Sequence, residues 1–201
     1  MFLLNYGTLV DPLLRGVRKR IAELSGVGAG DRVLDVCCGT GAQVLEFGRQ
    51  GTEAAGIDIS PNMLKIATRN MRQQAVAASF LLADAEHLPF MADCFDCATI
   101  SLALHDKEDA ARRRIIAEMK RVVRPGGALI LVDYQVPLPL NVWGALVRVI
   151  EFLAGGRHYR GFRGYTSRGG LEGLLEAHAV RVESRASLMG GLLAAIKAAN
   201  I

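Results

Sequence analysis

The sequence predicts an α/β fold: a doubly wound, mostly parallel sheet that closes with an antiparallel hairpin. Three observations carry this. Short, wholly apolar runs alternate with longer amphipathic stretches of helical period. The runs are bounded by turn signals, either glycines or a Ser-Pro or Pro-Gly pair. The tail changes character, with two apolar-rich segments joined by Gly190-Gly191. Strands that are apolar on both faces belong to a parallel sheet covered by helices on both sides. Two strands joined by a glycine turn pair antiparallel.

The elements follow in order. Residues 1–30 read as a helical lead-in. "RVLDVC" (32–37) is the first strand and stops at glycines. A helical pattern covers about 41–50. "EAAGIDI" (53–59) is the second strand, and Ser60-Pro61 then supplies an N-cap and a first-turn proline for a helix over 61–74. "ASFLLAD" (78–84) and "FDCATISLAL" (95–104) are the third and fourth strands, and a helix over 108–123 follows. Pro125-Gly126-Gly127 sharply starts "GALILVDY" (127–134). Residues 138–154 read as an unusually apolar inserted helix, and 155–165, with four glycines, as a lid-like loop. A helix over 168–179 precedes the two hairpin segments, 180–189 and 192–199. The whole is expected to be one domain over 1–201, with 1–30 as an N-terminal arm and 138–170 as the insert.

Composition bounds the function. A chain of 201 residues, 51% hydrophobic and 22% charged, buries a real core and is not disordered. Its net charge is +4, and no basic run is interleaved with aromatics, which argues against a nucleic-acid binder. Arg112-Arg113-Arg114 falls in a helical pattern and reads as a solvated face. No apolar run reaches the length of a membrane span. The first residues lack the basic region and cleavage site of a signal peptide. The four cysteines do not form a secreted disulfide framework. The expected location is the cytoplasm.

In an open parallel sheet, ligands bind beyond the carboxyl ends of the strands. Four segments lie at such ends. The first is Asp35 through Gly41. Gly39 and Gly41 let the backbone turn and approach a ligand closely. A dinucleotide fingerprint needs a third glycine, but that position is Val44. The carboxylate of Asp35 suits a ligand ammonium group better than a pyrophosphate. The second is Asp58, where an acid at a strand end accepts ribose hydroxyls. The third is Asp84, which ends its strand and is placed to read an adenine edge. The fourth carries Ser101 and His105.

Other residues invite sharper readings. Cys37-Cys38 and the lone Cys94-x-x-Cys97 suggest a metal or redox pair, but small apolar filler and core packing suit them better, and no metal is expected. His105 suits a general base or, equally, a polar residue bonding backbone. Asp106 reads as a helix N-cap. Tyr159 or Tyr165 in the insert would orient an acceptor under a lid, the competing reading of 155–165 being a solvated basic loop. The apolar helix with Trp143 and Phe152 would cover the mouth of the site. Its competing uses are transient contact with a membrane surface and a homodimer interface.

Together, "VLDVCCGTG", "GIDIS", "ADAEHLPF", "FDCATISLALHD" and "RVVRPGGALILVDY" resemble the ordered motifs of class I S-adenosylmethionine-dependent methyltransferases. The resemblance covers about residues 25–135 and is strongest to the ubiquinone/menaquinone biosynthesis branch. "LALHDK" departs from that branch, which carries an asparagine-containing segment there. The resemblance implies a Rossmann-like seven-stranded sheet of order 3-2-1-4-5-7-6. It implies that Asp35, Gly39, Thr40 and Gly41 hold the methionine end of S-adenosylmethionine and that Asp58 takes the ribose. Ile59 and Met63 would flank the adenine, Asp84 and Ala85 would bound it, and Ser101 would face the sulfonium. Tyr6 would close over the ligand. The methyl acceptor would be a small aromatic or lipid-soluble molecule such as a quinone precursor, and S-adenosylhomocysteine the product. Two other classes stand beside this one: a nicotinamide-dependent reductase and a non-catalytic cofactor-binding module.

Overall fold

The computed structural model describes residues 14–201. Helix α1 (Arg15–Ser25) leads into β1 (Arg32–Val36), α2 (Ala42–Gly48), β2 (Glu53–Asp58), α3 (Pro61–Gln74) and β3 (Ser79–Leu82). The second half runs β4 (Phe95–Ser101), α4 (Asp109–Val122), β5 (Val123–Tyr134), α5 (Val142–Ala154), α6 (Gly156–Ser167), α7 (Gly170–Glu176), β6 (Val180–Leu188) and β7 (Leu193–Asn200). The seven strands form one sheet of order β3-β2-β1-β4-β5-β7-β6. Pairing is parallel from β3 to β5, while β7 runs antiparallel to both β5 and β6. The expected order and terminal hairpin are both present.

Local chemistry sets the boundaries. The Ser60 hydroxyl accepts the Met63 N–H at 3.4 Å, and Pro61 opens α3. The Asn141 side chain accepts the Gly144 N–H at 3.0 Å, so α5 begins at Val142, later than the apolar pattern suggests. Adjacent residues of β1 serve opposite cores, as the two-residue strand period requires. Leu34 packs with Ile100, Ile115 and Leu131 on one face of the sheet. Val33 packs with Val44, Phe47 and Ile130 on the other. Cys97 is fully buried in that second core.

Three expectations need correction. The segment read as a lid-like loop is helix α6. Gly161 serves close packing: a Cβ there would collide with the backbone carbonyl of Asp106. Asp106 does not cap α4. The N-cap is Glu108, with no side-chain bond, and Asp106 pairs with Lys107 at 2.7 Å. Arg112 is not on a solvated face. It is 2% exposed, donating from Nε to the Leu104 carbonyl (2.8 Å) and from Nη2 to the Gly161 carbonyl (2.5 Å). Arg113 and Arg114 do face outward. No described helix is long and apolar enough to cross a membrane.

Candidate functional site

A cleft of about 380 Å³ opens at the carboxyl ends of β1, β2 and β4. Helix α1 contributes Leu14 at its N-cap, Val17, Arg18 and Ile21, and the loop after β1 contributes Cys37 through Thr40. Asp35, Asp58, Met63, Ser101, Asp106 and Lys107 complete the polar and apolar lining.

Sheet register sets the character of Asp35. It lies beside Gly56 of β2 and Thr99 of β4. The Thr99 hydroxyl donates to Asp35 Oδ1 at 2.6 Å. Burial pushes the Asp35 carboxyl up to about 7, against the Thr99 hydrogen bond and the Arg18 charge, while Asp58 adds to the rise. A buried acid poised there gains a great deal from a cationic ligand group.

The two loop glycines do different work. Gly41, at φ +75°, has no room for a side chain: a Cβ would lie 2.6 Å from Phe80 Cζ and 2.8 Å from Ala67 Cβ. Gly39, at φ +52°, has nothing within 4 Å of that position, so it leaves space open. Its N–H donates to Asp58 Oδ2 at 2.8 Å, and the Ser60 N–H donates to Oδ1 at 2.8 Å. Asp58 is thus fixed from both sides, with lone pairs left for a ligand diol.

Val44 explains the missing third glycine. A Cβ on Gly56 would lie 2.7 Å from Val44 Cγ2 and 2.8 Å from Cys38 Sγ. The small residue that permits close helix–strand packing therefore sits on the strand, and the helix carries the bulk. The loop thus departs from the dinucleotide fingerprint in where its small residue sits. Cys37 and Cys38 are free thiols, and burial is the main cause holding both pKa values above the ordinary range, with Cys37 pushed up to about 12. They stay protonated at neutral pH.

The structure sorts the remaining expected residues. Thr40, Met63 and Ser101 line the cleft. Ser101 Oγ and Gln43 Oε1 are buried there with no hydrogen-bond partner among the described residues. Ile59 is 71% exposed and does not line it. Asp84 accepts the Glu86 N–H, and Ala85 is buried in the core, so neither reaches the cleft. Tyr165 is buried and donates its hydroxyl to the Tyr134 carbonyl at 3.0 Å. Tyr159 packs edge-on against Phe152 at 5.4 Å. Neither tyrosine lines the cleft. Tyr6 lies outside the described residues.

His105 is also turned away from the cleft. It is buried, and its Nδ1 lies 2.7 Å from Asp133 Oδ1. Burial alone would lower its pKa, but Asp133, then Glu151 and Asp106, outweigh burial and hold it above the usual histidine value. Residues missed in the sequence include Thr99, Arg18 and Gln43. Only strand register could have pointed to Thr99, and only the packing of α1 to the other two.

Residues 33–127 match the family model described as "Methyltransferase domain". The chain is 41% identical over 145 residues to the ubiquinone/menaquinone biosynthesis C-methyltransferase UbiE of Azotobacter vinelandii, covering 66% of this chain and 55% of that protein. It is 37% identical over 121 residues to the UbiE protein of Pectobacterium carotovorum, covering 58% and 47%. The chain spans about half the length of the curated relatives it matches. Among solved structures, the PH0226 protein of Pyrococcus horikoshii superposes with a TM-score of 0.75 at 16% identity, over 98% of this chain and 94% of that one. The geranyl diphosphate C-methyltransferase of Streptomyces coelicolor, solved with Mg2+, geranyl diphosphate and S-adenosyl-L-homocysteine, gives 0.70 at 13% identity, over 94% and 81%. At these identities the structural likeness speaks for the fold.

Proposed function

We propose that this chain, whose residues 33–127 belong to the methyltransferase domain family, transfers a methyl group from S-adenosylmethionine to a small acceptor. The observation that carries the proposal is one cleft holding a buried Asp35, an Asp58 fixed by two N–H groups, and the open face of Gly39 between them. The residues fit the cofactor. Space at Gly39 admits a ligand against backbone, and the unpartnered Ser101 Oγ and Gln43 Oε1 await polar groups.

The cofactor supplies a methyl group on a sulfonium, a leaving group that departs neutral and needs no acid. The protein's task is then positioning in a dry, shaped site. Asp35 would pair with the ligand ammonium and Asp58 would accept from the ribose diol, while Gly39 and Thr40 would form the wall between them and Gly41 would hold the turn. Met63 would lie against the adenine, and Ser101 would face the reacting end. Ile59, Asp84 and Ala85 are not among the cleft-lining residues and take no role in this reading.

A quinone-precursor ring is our first choice of acceptor, supported by the UbiE relatives. The apolar outer face of α5, with Trp143, Val149, Phe152 and Leu153 exposed, suits a lipid-soluble molecule. Calorimetric titration of the folded chain with S-adenosylhomocysteine tests the cofactor assignment. Saturable binding is expected, and none at high micromolar ligand sinks it. An NADH fluorescence titration should show no binding.

A further inference from the structure

A second cluster of ligating side chains lies where the 102–107 segment meets α5 and α6. We infer that His105, Glu151 and His158 form a binding site for a divalent first-row transition-metal ion. His105, Glu151 and His158 each offer a ligand atom within 4.8 Å of the others. Glu151 is buried at 2% exposure in a mostly apolar helix whose one other charged residue is Arg148. Its Oε1 lies 3.7 Å from His105 Nε2, and its Oε2 lies 2.7 Å from His158 Nε2. Despite that proximity, Oε2 accepts no hydrogen bond. A buried carboxylate oxygen left without one is costly unless something else satisfies it.

The outer contacts match what a metal site needs. Each imidazole turns its Nδ1 to an aspartate: His105 to Asp133 at 2.7 Å, and His158 to Asp106 at 3.4 Å. Both rings therefore present Nε2 toward Glu151. Carboxylates behind ligating histidines fix the tautomer and strengthen the ligand. The Tyr134 hydroxyl donates to Glu151 Oε1 at 3.2 Å and orients it. With metal–ligand bonds of about 2.1 Å, tetrahedral ligand atoms stand about 3.4 Å apart. The 3.7 and 2.7 Å distances run to the two different Glu151 oxygens, and one atom from each residue lies within 4.8 Å of the others, so ligation needs side-chain shifts of about an ångström to close on an ion. His158 is 34% exposed at its side chain, which gives an ion a way in and a position for a further ligand.

Two imidazoles and one carboxylate suit Zn2+, Co2+ or Fe2+ better than Mg2+ or Ca2+, which prefer all-oxygen sites. The sequence gives little warning of this: the ligands stand at 105, 151 and 158, with no short motif. The inference is independent of the cofactor assignment, because metal binding is read without substrate.

The test is a Co2+ titration of the full, chelator-stripped chain, followed by visible absorption and then Zn2+ displacement. One equivalent is expected, with the ligand-field bands of a low-coordinate nitrogen/oxygen site and without a strong thiolate charge-transfer band. Glu151→Gln and His158→Gln should each weaken binding at least about tenfold, and Asp133→Asn about 10–100-fold. His158 is partly exposed, so its variant should keep the fold and decides alone if Glu151→Gln does not. No binding, a thiolate band, or affinity unchanged in the folded His158→Gln protein overturns the site, leaving the cluster as a proton-sharing network.

Discussion

The cleft at the ends of β1 and β2 and the polar cluster under α5 and α6 share the 102–107 segment but are built in different ways. The cleft draws its key groups from short local stretches: Asp35 to Gly41 in one loop, and Asp58 at the next strand end. The cluster gathers His105, Asp133, Glu151 and His158 from four elements spread over more than fifty residues. Backbone donors hold Asp58 in the first; in the second, backbone N–H groups of Leu104, His105 and Tyr134 hold Asp133, and side chains hold the rest. The first arrangement depends on strand geometry and glycine. The second depends on how two inserted helices pack.

The largest expected effect tests whether the insert is anchored as firmly as the cleft. Arg112→Ala removes the buried donor that ties Leu104 to Gly161. It leaves two carbonyls without their charged donor and should cost about 2–5 kcal/mol in urea denaturation. A loss under about 1 kcal/mol would break the comparison, because the insert would then need no anchor. Next come the two glycines. Gly41→Ala meets Phe80 and Ala67 at a left-handed φ and should cost about 2–4 kcal/mol of stability. Gly39→Ala meets open space and should cost about half as much, yet weaken S-adenosylhomocysteine at least about tenfold. If the two variants behave alike, the division of labour between them fails.

Asp58→Ala should weaken the same ligand by about 1–3 kcal/mol, read by calorimetry, while leaving Co2+ binding unchanged. Parallel losses in both titrations would mean that the two sites are one. The smallest effect concerns pH. With its carboxyl pushed up to about 7, Asp35 must release a proton to pair with a cation. Ligand affinity should therefore climb as pH rises from about 6, by at most about tenfold per unit, and level off above 7. Asp35→Asn should flatten the profile. Unfolding carries the opposite sign: the folded state holds this proton more tightly than the unfolded one, so Asp35's contribution to stability falls as pH rises from about 4 toward 7.

Legibility followed the same division. Apolar runs bounded by Gly and Ser-Pro revealed the strands, because a parallel sheet buries both strand faces. Asp35 and Asp58 were legible because strand ends are where such sheets bind ligands. Thr99 was not, since only register places it beside Asp35. Helix α6 was mistaken for a loop because its glycines looked like breakers. In fact Gly161 lets the helix touch the Asp106 backbone. Arg112 looked solvated because its two arginine neighbours are. One helical step of 100° separates a buried guanidinium from exposed ones. Strand β3 stops at Leu82, two residues short of Asp84, which accepts the Glu86 N–H in the following turn while Ala85 packs in the core.

Arg112 also bears on modularity. An insert between two strands of a common sheet looks like an exchangeable cassette, free to be swapped when a new acceptor is wanted. Here the cassette is keyed to its chassis. The lock is the Gly161 carbonyl on the insert, and the key is a guanidinium rooted in α4, outside the segment one would transplant. A graft of residues 138–170 onto another scaffold would strand that carbonyl, and its removal from this one would strand the charge. Under the proposed activity, acceptor specificity should therefore change by substitutions within the insert sooner than by its wholesale replacement.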